Sequence, residues 1–160
     1  MKTFANILIL CVGMFFLTDS IAMPKLSKPQ AANQQKKMET IKIIHMDPTQ
    51  LDNIELSPEN GYSFMEVIDG DNPEAGSLKS YKSNDGKFNA GLSHYSKMTL
   101  CLKDWPQDEF MYFLEGQVEI TNEDGSSKVY GPGDAIVMPK GFSGTWRQLS
   151  TIKKIHVSYP

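Results

Sequence analysis

Cysteine, histidine and long apolar runs are all scarce in this chain. Two cysteines, Cys11 and Cys101, are spread over 160 residues. Cys11 lies in an apolar leader, so a chain processed behind it keeps Cys101 alone and has no intramolecular disulfide. Export with one cysteine fits a periplasm, which does not require disulfides. The three histidines, His45, His94 and His156, show no metal-ligand spacing. Charge of one sign is also missing. Lys and Arg number 16 against 19 Asp and Glu, for a net charge of −3. The two signs are mixed along the chain, which excludes a surface for nucleic acid or for an anionic membrane. There is no repeat at a solenoid period and no long helical period.

The one long apolar run is at the start. Lys2 precedes an uncharged stretch at 4–17, and Ser20-Ile21-Ala22 offers the small residues a signal peptidase reads. Residues 1–22 therefore read as a secretory signal peptide. The run is shorter than the ~20 apolar residues a membrane span needs. Cys11 sits within it and lacks the small residues and end position of a lipidation site. Residues 23–39, MPKLSKPQAANQQKKME, are too polar to repay the entropy of ordering and read as a flexible spacer. Residues 40–160 are the size of one domain and can bury a core without staples.

From Thr40 onward the texture is β. β-branched or alternating runs fall at 41–45, 62–68, 88–95, 98–103, 109–114, 117–121, 127–130, 135–138, 144–149 and 152–158. Asp85-Gly86 and Asp124-Gly125 are hairpin turns, because Asp-Gly accepts positive φ. Gly131-Pro132-Gly133-Asp134 opens a further turn, and Pro139-Lys140-Gly141 closes the strand that follows it. Short strands with regular turns predict an all-β sandwich or barrel. The run 41–45 is the candidate to cover a sheet edge or to cross to a second subunit, making a homodimer.

Two spacings carry a resemblance. Gly133, Pro139 and Gly141 match the second motif of the cupin family, and Glu109 and Gly116 match its first. Leu114-Glu115-Gly116, Asp124-Gly125, Pro139-Lys140-Gly141-Phe142, Gly144-Thr145-Trp146 and Lys153-Lys154 resemble one branch in particular. It comprises the small cupins related to the (S)-ureidoglycine aminohydrolase cupin domain and the ethanolamine-utilisation cupins. The resemblance implies a double-stranded β-helix, or jelly roll, with a pocket inside the barrel. It also implies where a metal would be held: two His and a Glu from the first motif, and a His from the second. Those positions fall on Lys103, Trp105, Glu109 and Gly144, so only the carboxylate is kept. No metal cofactor is expected. The alternative is Mn or Fe in a rebuilt site that joins Glu109 to His94 or His156, with His45 as the third histidine in reach.

Alternation along a strand gives the expected pocket. With Glu109 inward, Met111 and Phe113 point inward too. The same parity, carried to the neighbouring runs, places Cys101, Lys103, Phe142, Trp146 and Gln148 inward. Glu109, Lys103, Met111, Trp146, Gln148 and Cys101 are thus the candidate ligand-binding residues. Glu109 is the candidate catalytic group, with Lys103 as its cation. A Glu109 that serves binding alone is expected to be nearly dispensable for folding. The mixture suits a small polar organic ligand. The expected function is an exported, periplasmic or secreted, metal-free small-molecule cupin. The alternative is a hydrolase or isomerase of a small nitrogenous or carboxylic compound.

Overall fold

A computed structural model describes residues 40–160. The expected signal peptide and spacer lie outside the described residues. Strands β1 (Ser57–Pro58), β3 (Glu74–Lys82), β4 (Asn89–Tyr95), β6 (Asp108–Glu115), β9 (Ala135–Met138) and β11 (Ile152–Tyr159) form one sheet in the order β1-β3-β4-β11-β6-β9. Strands β2 (Met65–Asp69), β5 (Thr99–Leu102), β7 (Val118–Asn122), β8 (Ser127–Tyr130) and β10 (Gly144–Gln148) form the second, in the order β2-β5-β10-β7-β8. All pairs are antiparallel, and the architecture is the expected jelly roll.

Two-residue periodicity explains why these segments sit as they do. In β6, Glu109, Met111 and Phe113 are buried while Phe110 and Tyr112 are exposed. In β7 and β10, Val118, Ile120, Trp146 and Gln148 turn inward. Arg147 turns outward from β10 and meets Glu119 of β7 at 3.0 Å. The inward faces of the two sheets meet in a core built on Leu100, Leu102, Met111, Phe113 and Trp146. The turn between β6 and β7 requires glycine. Gly116 has φ 81, and a Cβ there would collide with the Thr151 carbonyl.

Two expectations fail here. Residues 41–45 form no strand, and Ile41 and Ile43 are exposed. β-branched residues favour an extended backbone, but a strand needs a partner, and none reaches this segment among the described residues. Among the described residues, the first regular element is instead a 3-10 turn, Pro48–Asn53. Asp47 caps it, its Oδ1 accepting from the Thr49 backbone N–H at 3.0 Å. Leu51 is its buried residue, and the turn packs on β4. Conversely, β3 was not expected. Its sequence, EAGSLKSYK, has no buried position and so no alternation to read. Backbone pairing with β4 makes it a strand.

The chain crosses between sheets from β5 to β6, and this resets the side-chain parity. Leu100 and Leu102 fill the inward positions of β5, so Cys101 and Lys103 face solvent. Asp104, at φ 50, then turns the backbone before β6 begins. Inward parity for Cys101 and Lys103 was extrapolated across this turn, and the turn breaks it.

Candidate active or binding chamber

Strand β11 lies between β4 and β6 and brings three polar side chains to the inner face. Lys154 is one. A shift of register between Lys153 and Lys154 sets its position against β6. Its Nζ donates to Glu109 Oε1 at 3.1 Å and to Met111 Sδ at 2.9 Å. The ammonium stands over the rings of Trp146, 5.3 Å from the centroid, and Tyr95, at 5.5 Å. Both members of the ion pair are buried. Burial opposes the lysine charge, but the Glu109 carboxylate, Tyr95 and the hydrogen bond to Glu109 outweigh it. The Lys154 pKa therefore lies above its ordinary value.

His156 is the second. Its imidazole lies over Gly91, where a Cβ would come within 3.1 Å of the ring. Nδ1 and Ser93 Oγ are 2.8 Å apart, and Ser93 Oγ is 3.1 Å from Ser77 Oγ. Burial, reinforced by Lys154 and opposed by Glu109, holds the His156 pKa below its ordinary value. The imidazole is therefore neutral at pH 7 and uses one ring nitrogen in the contact with Ser93. Ser158 is the third, buried opposite Glu109.

A chamber of about 40 Å³ opens beside the ion pair, lined by Tyr95, Leu100, Trp105, Trp146, Gln148 and Lys154 among others. A wider groove of about 580 Å³ shares Met65, Tyr95 and Trp105 with it and continues along Ser57, Asn60, Ser77 and Gln107. Trp105 stands at the junction. The backbone on either side of it is clamped to the turn after β9. Its N–H donates to the Phe142 carbonyl at 2.9 Å, and its carbonyl accepts from Gly141 N–H at 2.8 Å. Its indole N–H is buried without a partner. With its amide turned to the orientation that satisfies both ends, Gln148 accepts from Trp146 Nε1 at 3.3 Å and donates to the Ser96 carbonyl.

Of the residues expected from sequence, the structure brings Glu109, Met111, Trp146 and Gln148 together around Lys154. Lys103 and Cys101 are not among them. The cation paired with Glu109 is Lys154, which sequence reasoning noted only as part of the family wording. A signal was present: Ile152, Lys154, His156 and Ser158 share one parity in β11, and a large apolar residue leads that series.

The resemblance implies a metal position, and the residues present do not fit one. Lys103 is exposed, Trp105 and Gly144 offer no side-chain ligand, and the Glu109 carboxylate is bonded to an ammonium. The His156 Nδ1 is already engaged with Ser93 Oγ at 2.8 Å. Among the described residues, no three His, Cys, Asp or Glu side chains converge.

Comparison with known proteins places this geometry. Residues 84–156 match the EutQ-like cupin domain. A crystal structure of a DUF861-family protein of unknown function from Pseudomonas syringae pv. tomato is similar in fold, with a TM-score of 0.60 at 19% identity over 71% of this chain. The match covers 46% of that protein, so this chain spans about half its length. The Clostridium difficile EutQ protein gives a TM-score of 0.49 at 18% identity, over 59% of this chain and 75% of its own. A putative ethanolamine utilization protein Q from Salmonella typhimurium gives 0.47 at 21% identity, over 67% and 95%. No curated protein matches. The chain has the cupin jelly-roll fold, and within it residues 84–156 match the EutQ-like cupin domain.

Proposed function

We propose that the protein is an exported, metal-free binding module that takes a small polar organic molecule into the chamber beside Lys154. The observation that carries this reading is the buried Lys154–Glu109 pair at 3.1 Å, facing a chamber walled by aromatic rings. A buried ion pair is a poor source of stability compared with apolar packing of the same volume. Its retention beside a cavity supports a role toward a ligand. The ammonium also supplies, without a metal, the positive charge that a cupin ion would place against Glu109. Catalysis through Glu109 has no observation of its own in its favour, because the carboxylate already accepts from Lys154. On the outer face of β6 and β9, the paired Phe110 and Val137 and the neighbouring Tyr112 leave an apolar strip, which supports a homodimer.

Native mass spectrometry of protein from its own host tests the whole reading at once. The expected species is a dimer of chains beginning at Met23, with one small organic compound released per chain on denaturation and no stoichiometric metal. A chain that holds about one Mn or Fe and releases no organic compound overturns the reading.

A further inference from the structure

The geometry points to an uncharged carbonyl compound as the occupant of the chamber, with its oxygen received by Lys154 and Trp105. This rests on the reading of the chamber as a ligand site and narrows it to a chemical class.

An ammonium carries three N–H donors. Two of those on Lys154 go to Glu109 Oε1 and Met111 Sδ, and the third meets no N, O or S acceptor among the described residues, only the faces of the Trp146 and Tyr95 rings. The Trp105 indole N–H, a donor only, is buried and unpaired. Both side chains line the same chamber. A buried donor without a partner is destabilising by about the desolvation cost of that group, so two beside one cavity call for an acceptor. The chamber offers few acceptors in return: Gln148 is committed to Trp146 and Ser96, which leaves the Tyr95 hydroxyl, itself both donor and acceptor. A ligand with several donors, such as an ammonium, finds one hydroxyl for them and adds a buried cation beside Lys154.

Charge separates the remaining acceptors. Lys154 is the one ionisable cation in the wall, and Glu109 already neutralises it. A carboxylate ligand would add a buried charge without a counter-charge, next to the carboxylate of Glu109. An amide, ketone or lactam carbonyl takes the same two hydrogen bonds and leaves the balance intact. Size agrees. About 40 Å³ is far below the roughly 300–1,000 Å³ of a pocket that encloses a whole ligand, so the chamber takes one small group such as a carbonyl. The rest of the molecule lies in the groove, where Ser57, Asn60, Ser77 and Gln107 offer uncharged polar partners and the one acid, Glu59, already accepts from the Gly61 N–H at 2.9 Å. The clamp on the Trp105 backbone and the edge-on packing of its ring against Phe64, 5.3 Å between centroids, hold the donor in place before binding.

The test uses the two tryptophans, whose indole N–H signals are separable in a 15N–1H spectrum. Acetamide, acetate and ethylammonium, alike in size and different in charge, are titrated to tens of millimolar. Acetamide is expected to shift the Trp105 indole signal and the Met111 methyl saturably, with acetate at least about tenfold weaker and ethylammonium silent. In Trp105→Phe, which keeps a ring against Phe64, acetamide affinity is expected to fall roughly three- to tenfold, the range for one hydrogen bond. Acetate or ethylammonium binding as tightly as acetamide would overturn the inference and leave the chamber a ligand site. Unchanged acetamide affinity in Trp105→Phe would also overturn it. If no probe moves either indole or any core methionine methyl, the ligand-chamber reading falls as well.

Discussion

Lys153 and Lys154 are adjacent in sequence and lie on opposite faces of β11. Lys153 points outward from β11 and bonds Asp52 Oδ1 at 2.6 Å and Glu115 Oε2 at 3.0 Å, both largely exposed. Lys154 points inward and bonds Glu109, and both side chains are more than nine-tenths buried. Both lysine pKa values are raised. For Lys153 the hydrogen bonds to Asp52 and Glu115 do it, with little burial to oppose them. For Lys154 burial is the largest influence and pulls the other way, and Glu109 and Tyr95 reverse it. The same direction of shift thus comes from two different balances. The lesson is that an ion pair's weight is set by what each charge would lose if left alone. A lone Asp52 returns to water, whereas a lone Lys154 cannot.

The sharpest way to break the comparison is to remove one partner of the inner pair. Glu109→Gln is expected to destabilise the fold by roughly 3–5 kcal/mol, because it strands a buried ammonium. This reverses the expectation that Glu109 is dispensable for folding, which assumed that its cation was the exposed Lys103. Glu109→Gln combined with Lys154→Met removes both charges. It should recover most of that loss, since a buried pair replaced by apolar volume is often neutral or stabilising. Urea denaturation of the two proteins at one pH checks both claims. Equal stability of wild type and the single variant would show that water reaches the inner pair.

How much of this was legible in the sequence depends on which force wrote each feature. Strand β6 was readable because burial alternates through Glu109, Met111 and Phe113, and strands β7 and β10 repeat that pattern. The jelly roll followed from those strands and from the turn glycines. Strand β3 was not readable, because it exists through backbone pairing and buries no side chain. The run 41–45 was misread for the converse reason: propensity was present and a partner strand was not. At the site, Glu109 was legible from its spacing and Lys154 was not weighed, because lysines are usually exposed. Identifying the cation required knowing that β11 lies beside β6, a long-range pairing that local pattern does not contain.

His156 sharpens the contrast from a second side, since it shares the interior with the inner pair and none of it with the outer. Burial holds its pKa down, Lys154 adds to that, and Glu109 opposes. The sign follows directly. The unfolded chain takes up a proton near the ordinary value of 6.5, while the native imidazole stays neutral to lower pH. Below that value the unfolded state binds more protons, so stability falls as pH falls, until the native imidazole is protonated too. Urea midpoints measured from about pH 7.5 down to about 5.5 should decline, and His156→Gln should flatten the decline. His45 and His94 are the same in both proteins and cancel in the difference. An identical slope in the variant would mean that His156 is solvated and contributes nothing to the pH dependence.

The smallest effect belongs to the outer pair. Asp52→Asn removes a carboxylate that is 73% exposed, from a lysine that keeps Glu115 at 3.0 Å. Exposed pairs of this kind contribute between nothing and about 1 kcal/mol. The loss should sit in the lower half of that range, because one of two partners remains. Salt gives the decisive readout. At about 1 M ionic strength the Debye length is near 3 Å, so the difference between wild type and Asp52→Asn should close. The difference between wild type and Glu109→Gln should not, because counter-ions do not reach the barrel interior. If Asp52→Asn instead costs as much as Glu109→Gln and ignores salt, the 3-10 turn over β4 depends on Lys153 as an anchor. The two faces of β11 would then be energetically alike, and the comparison would fail.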